Sequence, residues 1–171
     1  MAETFIGDGN RVGLLTYGMT YLDWIFPGYG KVQREKIMRS LASATPADNQ
    51  VFRSLENLPV RFFSPQTQLI MISTLPKGDH NHIIGLRAIG HSVLMVSPDP
   101  VSYVTADGNS SDTVRAMAAR LARVERNLML GRMRQARIHV LDWDVRIPLE
   151  RAVHISFNQI LPEARPARLN L

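Results

Sequence analysis

The 171-residue chain contains no cysteine. Disulfides, thiolate nucleophiles and cysteine-bound zinc are therefore excluded, and a reducing compartment is allowed. Long apolar runs are missing as well. Gln68 to Ser73 and Val93 to Val96 are among the longest, far short of the ~20 residues that cross a bilayer. Met1 to Ile6 has no basic flank followed by an apolar stretch, so it does not read as a secretory signal. The expectation is a cytoplasmic domain, with any membrane tether supplied by a part of the protein outside this chain. Acidic residues are outnumbered, fifteen Asp and Glu against twenty Lys and Arg, for a formal charge of +5. Seven arginines fall between Arg115 and Arg137, with Asp112 and Glu125 the only acids close by. Such clustering can attract nucleic acid, acidic protein or anionic lipid, and its plainer reading is a solvated helix face.

What is present is enough apolar residue, 45% of the chain, for one domain to bury a core without staples. A single domain over residues 1–171 is expected, with its core in 9–161 and a loose tail in 162–171. Arg11 to Gly18 and Tyr21 to Phe26 have the aromatic and β-branched content of a hairpin. Pro27-Gly28-Tyr29-Gly30 ends it, and from Lys31 the residues Val32, Ile37, Met38 and Leu41 approximate a helical stripe. A second helix is expected after Pro46, with Val51, Phe52 and Leu55 inward. Thr67 to Thr74 reads as a strand buried on both faces. Asp79 suits the N-cap of a helix carrying Ile83, Ile84, Leu86 and Ile89, and Gly90 suits its end. His91 to Ser97 is the next strand, and Pro98 and Pro100 open a polar loop through Asp107 to Ser111. Val114, Met117, Leu121, Val124 and Leu128 then recur at helical spacing, which predicts a long helix, apolar inside and arginine-rich outside, weakened at Gly131. Ile138 to Trp143 is the last strand, before a helix near Pro148. Strands alternating with amphipathic helices imply an α/β fold: a doubly wound, mostly parallel sheet with helices on both faces and the antiparallel hairpin at its edge.

Several stretches in this order resemble domain-of-unknown-function family 58: Gly9 to Gly18, Pro27 to Lys31, the strand into Ser73-Thr74-Leu75, Gly90 to Pro100, and Val140-Leu141-Asp142-Trp143-Asp144. Proteins of that family carry a von Willebrand factor A-like domain, and the similarity covers roughly Gly9 to Leu161. The resemblance implies an assembly or chaperone-like adaptor, because homologous domains are commonly encoded near MoxR-type AAA+ ATPases. It also implies an N-terminal truncation. Type A domains begin with a central strand ending in Asp-x-Ser-x-Ser, whose oxygens hold Mg²⁺, and no such motif occurs here. The aspartate expected after a later strand is replaced by Thr74, and Thr45 is the one remnant of a metal-site threonine. No metal or other cofactor is therefore expected. With the central strand missing, the strand at Val12 to Tyr17 is expected to pair directly with the strand at Thr67 to Thr74, since unmatched buried backbone groups are costly.

Four groups of residues carry candidate chemistry. Pro27-Gly28-Tyr29-Gly30-Lys31 resembles part of a phosphate cradle at a helix start but lacks the full spacing, so a strand-to-helix turn is the preferred reading. Asp79, His80, His82 and His91 hold enough oxygen and nitrogen for a divalent metal, but on a regular helix they diverge, which favours Asp79 as a cap with the histidines at the surface. Asp142 and Asp144 flank Trp143 at the carboxyl end of the last strand, the edge where open α/β sheets bind ligands. With Ser73, Thr74, Ser97 and Asp99 they form a candidate polar binding rim. The plainer alternative has Asp142 capping the turn into the next helix with Trp143 packed beneath it. Arg115, Arg120, Arg123 and Arg126 form the candidate basic surface. No Gly-x-Ser-x-Gly elbow, serine–histidine–aspartate arrangement or dinucleotide fingerprint is present, so catalysis is not expected. The leading expectation is a non-catalytic protein-interaction module, with an AAA+ ATPase as partner. The alternatives are a nucleic-acid binder using the helix from Arg115 to Arg134 and a Rossmann-like enzyme with Asp142 and Asp144 at its site.

Overall fold

The computed structural model describes residues 1–16, 24–44, 58, 63–64, 66–76, 78–105 and 113–160, with the backbone alone at 103–105, 154 and 156–160. The chain divides into two compact units, Met1–Asn57 and Leu58–Leu171. The helix expected after Pro46, Thr45, the loop through Asp107 to Ser111 and the tail 162–171 lie outside the described residues.

The first unit holds α1 (Ala2–Gly7), β1 (Val12–Leu15), β2 (Trp24–Gly28) and α2 (Gly30–Ser43). β1 and β2 pair antiparallel, with Leu14 opposite Ile25 and Leu15 opposite Trp24. The expected hairpin is present. It forms a two-stranded sheet of its own, not an edge of the parallel sheet, and among the described residues the expected ladder between β1 and the strand near Gln68 is absent. Trp24 and Phe26 alternate onto one face of β2 and stack with ring centroids 4.8 Å apart. α2 departs from the stripe read off its sequence. Its buried residues are Gln33 and Ile37, while Val32, Met38 and Leu41 are exposed. The reason is polar. The Gln33 Nε2 donates to the carbonyls of Val12 at 2.7 Å and Phe26 at 2.8 Å, tying the helix to both strands. Gly28 makes this possible, since a Cβ there would stand 2.8 Å from the Gln33 Oε1. The Pro27 to Lys31 segment is thus a strand-to-helix turn whose bare face is filled by Gln33.

The second unit holds β3 (Gln68–Ile72), α3 (Asp79–Ala88), β4 (Ser92–Pro98), α4 (Pro100–Thr105), α5 (Thr113–Gln135), β5 (His139–Trp143) and α6 (Leu149–Ile160). The three strands are parallel in the order β3-β4-β5, with Met71 beside Met95 and Met95 beside Val140. A doubly wound sheet reverses its strand order and opens a crevice there. These three strands run in sequence, so among the described strands there is no reversal point. Sequential order with right-handed crossovers puts α3 and α5 on one face, and the two helices do pack together. Val93, Met95 and Ser97 alternate onto that face with Val140, all buried, under Ile83 and Leu86 of α3 and Leu130 and Met133 of α5. α6 covers the other face, where Val96, Leu141 and Ala152 form a cluster with Ile70, Trp143, Leu149 and Val153. Among the described residues no helix is long and apolar enough to cross a membrane.

The polar loop expected after Pro98 begins instead as the short helix α4. Pro100 fills its first position, where the missing N–H costs nothing. The Asp99 carboxylate accepts from the backbone N–H of Val101 at 3.0 Å and Ser102 at 3.2 Å, the geometry of an N-cap.

Candidate functional site at the carboxyl edge of the parallel sheet

The rim residues lie at one edge. Ser73 follows β3 and donates its N–H to the Val96 carbonyl at 3.1 Å. Ser97 stands beside Asp142 in the β4–β5 register. Asp99 follows β4 and donates its N–H to the Trp143 carbonyl at 2.8 Å. Asp144 follows β5. Thr74 is exposed after β3, and the next residue, Leu75, is buried with φ of 62°. A non-glycine residue in the left-handed region carries local strain of about 1 to 2 kcal/mol. The Ser73 Oγ accepts the Leu75 N–H at 3.1 Å and helps to hold that bend.

The edge is organised by a residue that sequence reading assigned to a different surface. Arg126, grouped with the exposed basic residues, is 5% exposed. Its guanidinium enters from α5 and donates to the Asp142 Oδ1 at 2.6 Å and 3.2 Å, and to the Ser97 carbonyl at 2.8 Å. The Asp99 Oδ1 is 3.7 Å away. One arginine thus ties α5 to the ends of β4 and β5 and faces two of the rim's three aspartates. Arg115, Arg120 and Arg123 are exposed, so the basic surface keeps three of its four expected members. The burial of Arg126 was legible only as a pattern: Arg126, Leu130 and Met133 share one face at helical spacing.

Asp142 and Asp144 do different work. Asp142 faces Arg126 and does not cap the turn into α6. That turn is held by Asp144, whose carboxylate accepts the Arg146 backbone N–H at 3.0 Å and pairs with its guanidinium at 2.5 to 3.0 Å. The hydrogen bonds from Arg146 lower the Asp144 carboxyl from 3.8 to about 2, and the Arg146 guanidinium is raised in turn. Trp143 closes the loop by donating its indole N–H to the Ile147 carbonyl at 2.7 Å.

Ser97 is fully buried and its Oγ has no hydrogen-bond partner among the described residues, so its carbonyl, rather than its hydroxyl, serves the edge. The histidines also depart from expectation. His80 is buried, not at the surface, and His91, expected to begin a strand, is buried directly before β4. Asp79 is the first residue of α3, and its N-cap is Gly78. Among the described residues no three His, Asp or Glu side chains are grouped to hold a metal ion. Neither a family model, nor a curated protein, nor a solved structure matches this chain.

Proposed function

We propose that the chain is a non-catalytic protein-interaction module of the von Willebrand factor A-like kind, working in the cytoplasm as an adaptor for a MoxR-type AAA+ ATPase. The carboxyl edge of the parallel sheet is its recognition surface. The observation that carries this reading is the internal engagement of the edge's charges. Arg126 holds Asp142 and approaches Asp99, and Arg146 holds Asp144. A carboxyl at about 2 is a poor proton acceptor at neutral pH, whereas a pre-paired polar rim with Thr74 exposed and Asp142 and Asp144 partly exposed suits recognition by hydrogen bonds and charge.

Calorimetry of the chain against a MoxR-type ATPase tests the reading. Binding abolished by Thr74→Arg and by Asp144→Arg, and kept by Arg115→Glu, is the expected result. Absence of binding, or binding indifferent to both rim substitutions, would sink it. A nucleic-acid surface on α5 is the second reading, favoured by the exposure of Arg115, Arg120 and Arg123. Three phosphate contacts predict a slope of log K against log salt of roughly −2 to −3.

A further inference from the structure

The five apolar residues that predict the inner face of α5 are on its outside. Val114, Met117, Leu121, Val124 and Leu128 are between 56% and 72% exposed, while the helix buries Arg126, Leu130 and Met133. The direction of α5 explains this. Arg126 lies at the carboxyl edge, and the chain returns from α5 to the start of β5, so the helix runs opposite to the strands. Residues 113–125, about 20 Å of helix at 1.5 Å per residue, therefore lie on the side of Arg126 toward the strands' carboxyl ends, and α5 also packs on α4. The exposed row has steps of 3, 4, 3 and 4 residues, the alternation of a coiled-coil seam, narrower than the face a helix turns to a globular core. Among the residues whose side chains are described, no other helix leaves such a row outside: the exposed Val32, Met38 and Leu41 of α2 do not keep heptad spacing.

We infer that this row is a seam for a second copy of the chain, and that two α5 helices pair in parallel along it. The flanking charges select the occupant. With Leu121 at position a, Arg120 is at g and Glu125 at the following e, and in a parallel pair g lies against the e of the facing helix. Arg120 of each copy thus meets Glu125 of the other, twice by symmetry. Arg126 and Met133 sit at f, opposite the seam, so the two sheets lie on outer sides and do not collide. The seam is short for a free coiled coil. Here α5 is already anchored by Arg126, Leu130 and Met133 and packs on α3 and α4, so association carries less of the cost of nucleating a helix. The apolar area offered by both copies is on the order of 1,000 Å², the floor for a biological interface, which puts the pair in the size class of weak, transient associations. This inference is independent of the rim reading.

Sedimentation equilibrium of the full chain, from about 1 to about 200 µM, suits a pair of that class. The mass should rise from one 19.2 kDa chain to two. Leu121→Glu should hold it at one, weakening association by roughly 100-fold or more, because a buried seam would receive two unpaired charges. Glu125→Arg should weaken it by about 10-fold, and Arg120→Glu with Glu125→Arg should restore it. A single-chain mass throughout overturns the inference, whether another protein, another part of the chain or solvent covers the row. A dimer indifferent to Leu121→Glu, a charge swap that fails to restore, or assemblies larger than two also overturn it. Circular dichroism of these variants should match the parent chain, since every substituted residue is exposed.

Discussion

α3 and α5 lie side by side on the same face of the same sheet and solve the same packing problem in opposite ways. α3 turns Ile83 and Leu86 inward, two of the four apolar residues its sequence predicts, while Ile84 is half-buried and Ile89, at the C-cap, is 67% exposed. α5 turns an arginine inward and leaves its most regular apolar row in solvent. Hydrophobic periodicity finds a stripe but does not state what the stripe faces. At α5 the orientation is decided by two other things: Leu130 and Met133, which are fully buried, and the Asp142 carboxylate at the sheet edge, which Arg126 meets one turn earlier.

The contrast makes strong predictions about the two faces of α5. Arg126→Ala should destabilise the second unit by about 3 kcal/mol, because it leaves Asp142 and the Ser97 carbonyl without their donor. Leu130→Ala should cost a similar amount, about 3 kcal/mol, by opening a cavity at a fully buried site. Leu121→Ala, on the outer row, should change the stability of the dilute, monomeric chain by less than about 0.5 kcal/mol. Urea unfolding of the three variants measures all of this. A large loss at Leu121 with small losses at Arg126 and Leu130 would mean that α5 is rotated in solution and that the contrast with α3 does not exist.

The two helices also end differently. Both close with the same kind of backbone bond, His91 N–H to the Leu86 carbonyl at 3.1 Å after α3 and Ile138 N–H to the Met133 carbonyl at 3.0 Å after α5. Both place one residue at positive φ, Gly90 at 102° and Arg137 at 59°. Glycine adopts that region freely and arginine does not. Arg137→Gly should therefore stabilise the unit by about 1 kcal/mol, and Gly90→Ala should destabilise it by about as much. Thermal melts with shifts in the same direction for both variants would contradict the shared cap.

The sequence over α4 reads as loop, and β3, expected to be buried on both faces, is an outer strand with Ile72 61% exposed. The three strands, α3 and α5 of the second unit were nonetheless legible because their signals are local: short apolar runs for β3, β4 and β5, and Gly90 for the end of α3. The position of the rim was legible for the same reason, since Ser73, Ser97, Asp99 and Asp144 follow from where parallel strands stop. Partnerships were not legible. That Asp142 faces Arg126 while Asp144 faces Arg146 depends on how α5 lies across β5, a contact sixteen residues apart in sequence, and nothing in either neighbourhood distinguishes the two aspartates. Gln33 is the same case in the first unit, a polar residue buried because two backbone carbonyls meet it there.

The smallest predicted effect separates those two aspartates. Asp142 fastens α5 to the sheet through the buried Arg126, whereas the main partner of Asp144 is the exposed Arg146 of its own loop, so Asp142→Asn should loosen the unit more than Asp144→Asn does. The Asp144 clasp has a pH signature. Its folded-state carboxyl, at about 2, lies below the ordinary 3.8, so its contribution to stability is fully present above about pH 4 and fades as pH falls toward 2. Since the clasp is at the surface, the effect on melting is small, and the difference in melting temperature between the parent chain and Asp144→Asn should shrink across that window and vanish at its lower end. Following the Asp144 carboxyl carbon by NMR reads the same event directly. A midpoint near 2 is expected, and a midpoint near 3.8 would mean that Arg146 does not hold Asp144 in solution, leaving the turn into α6 to Trp143 and its bond to the Ile147 carbonyl.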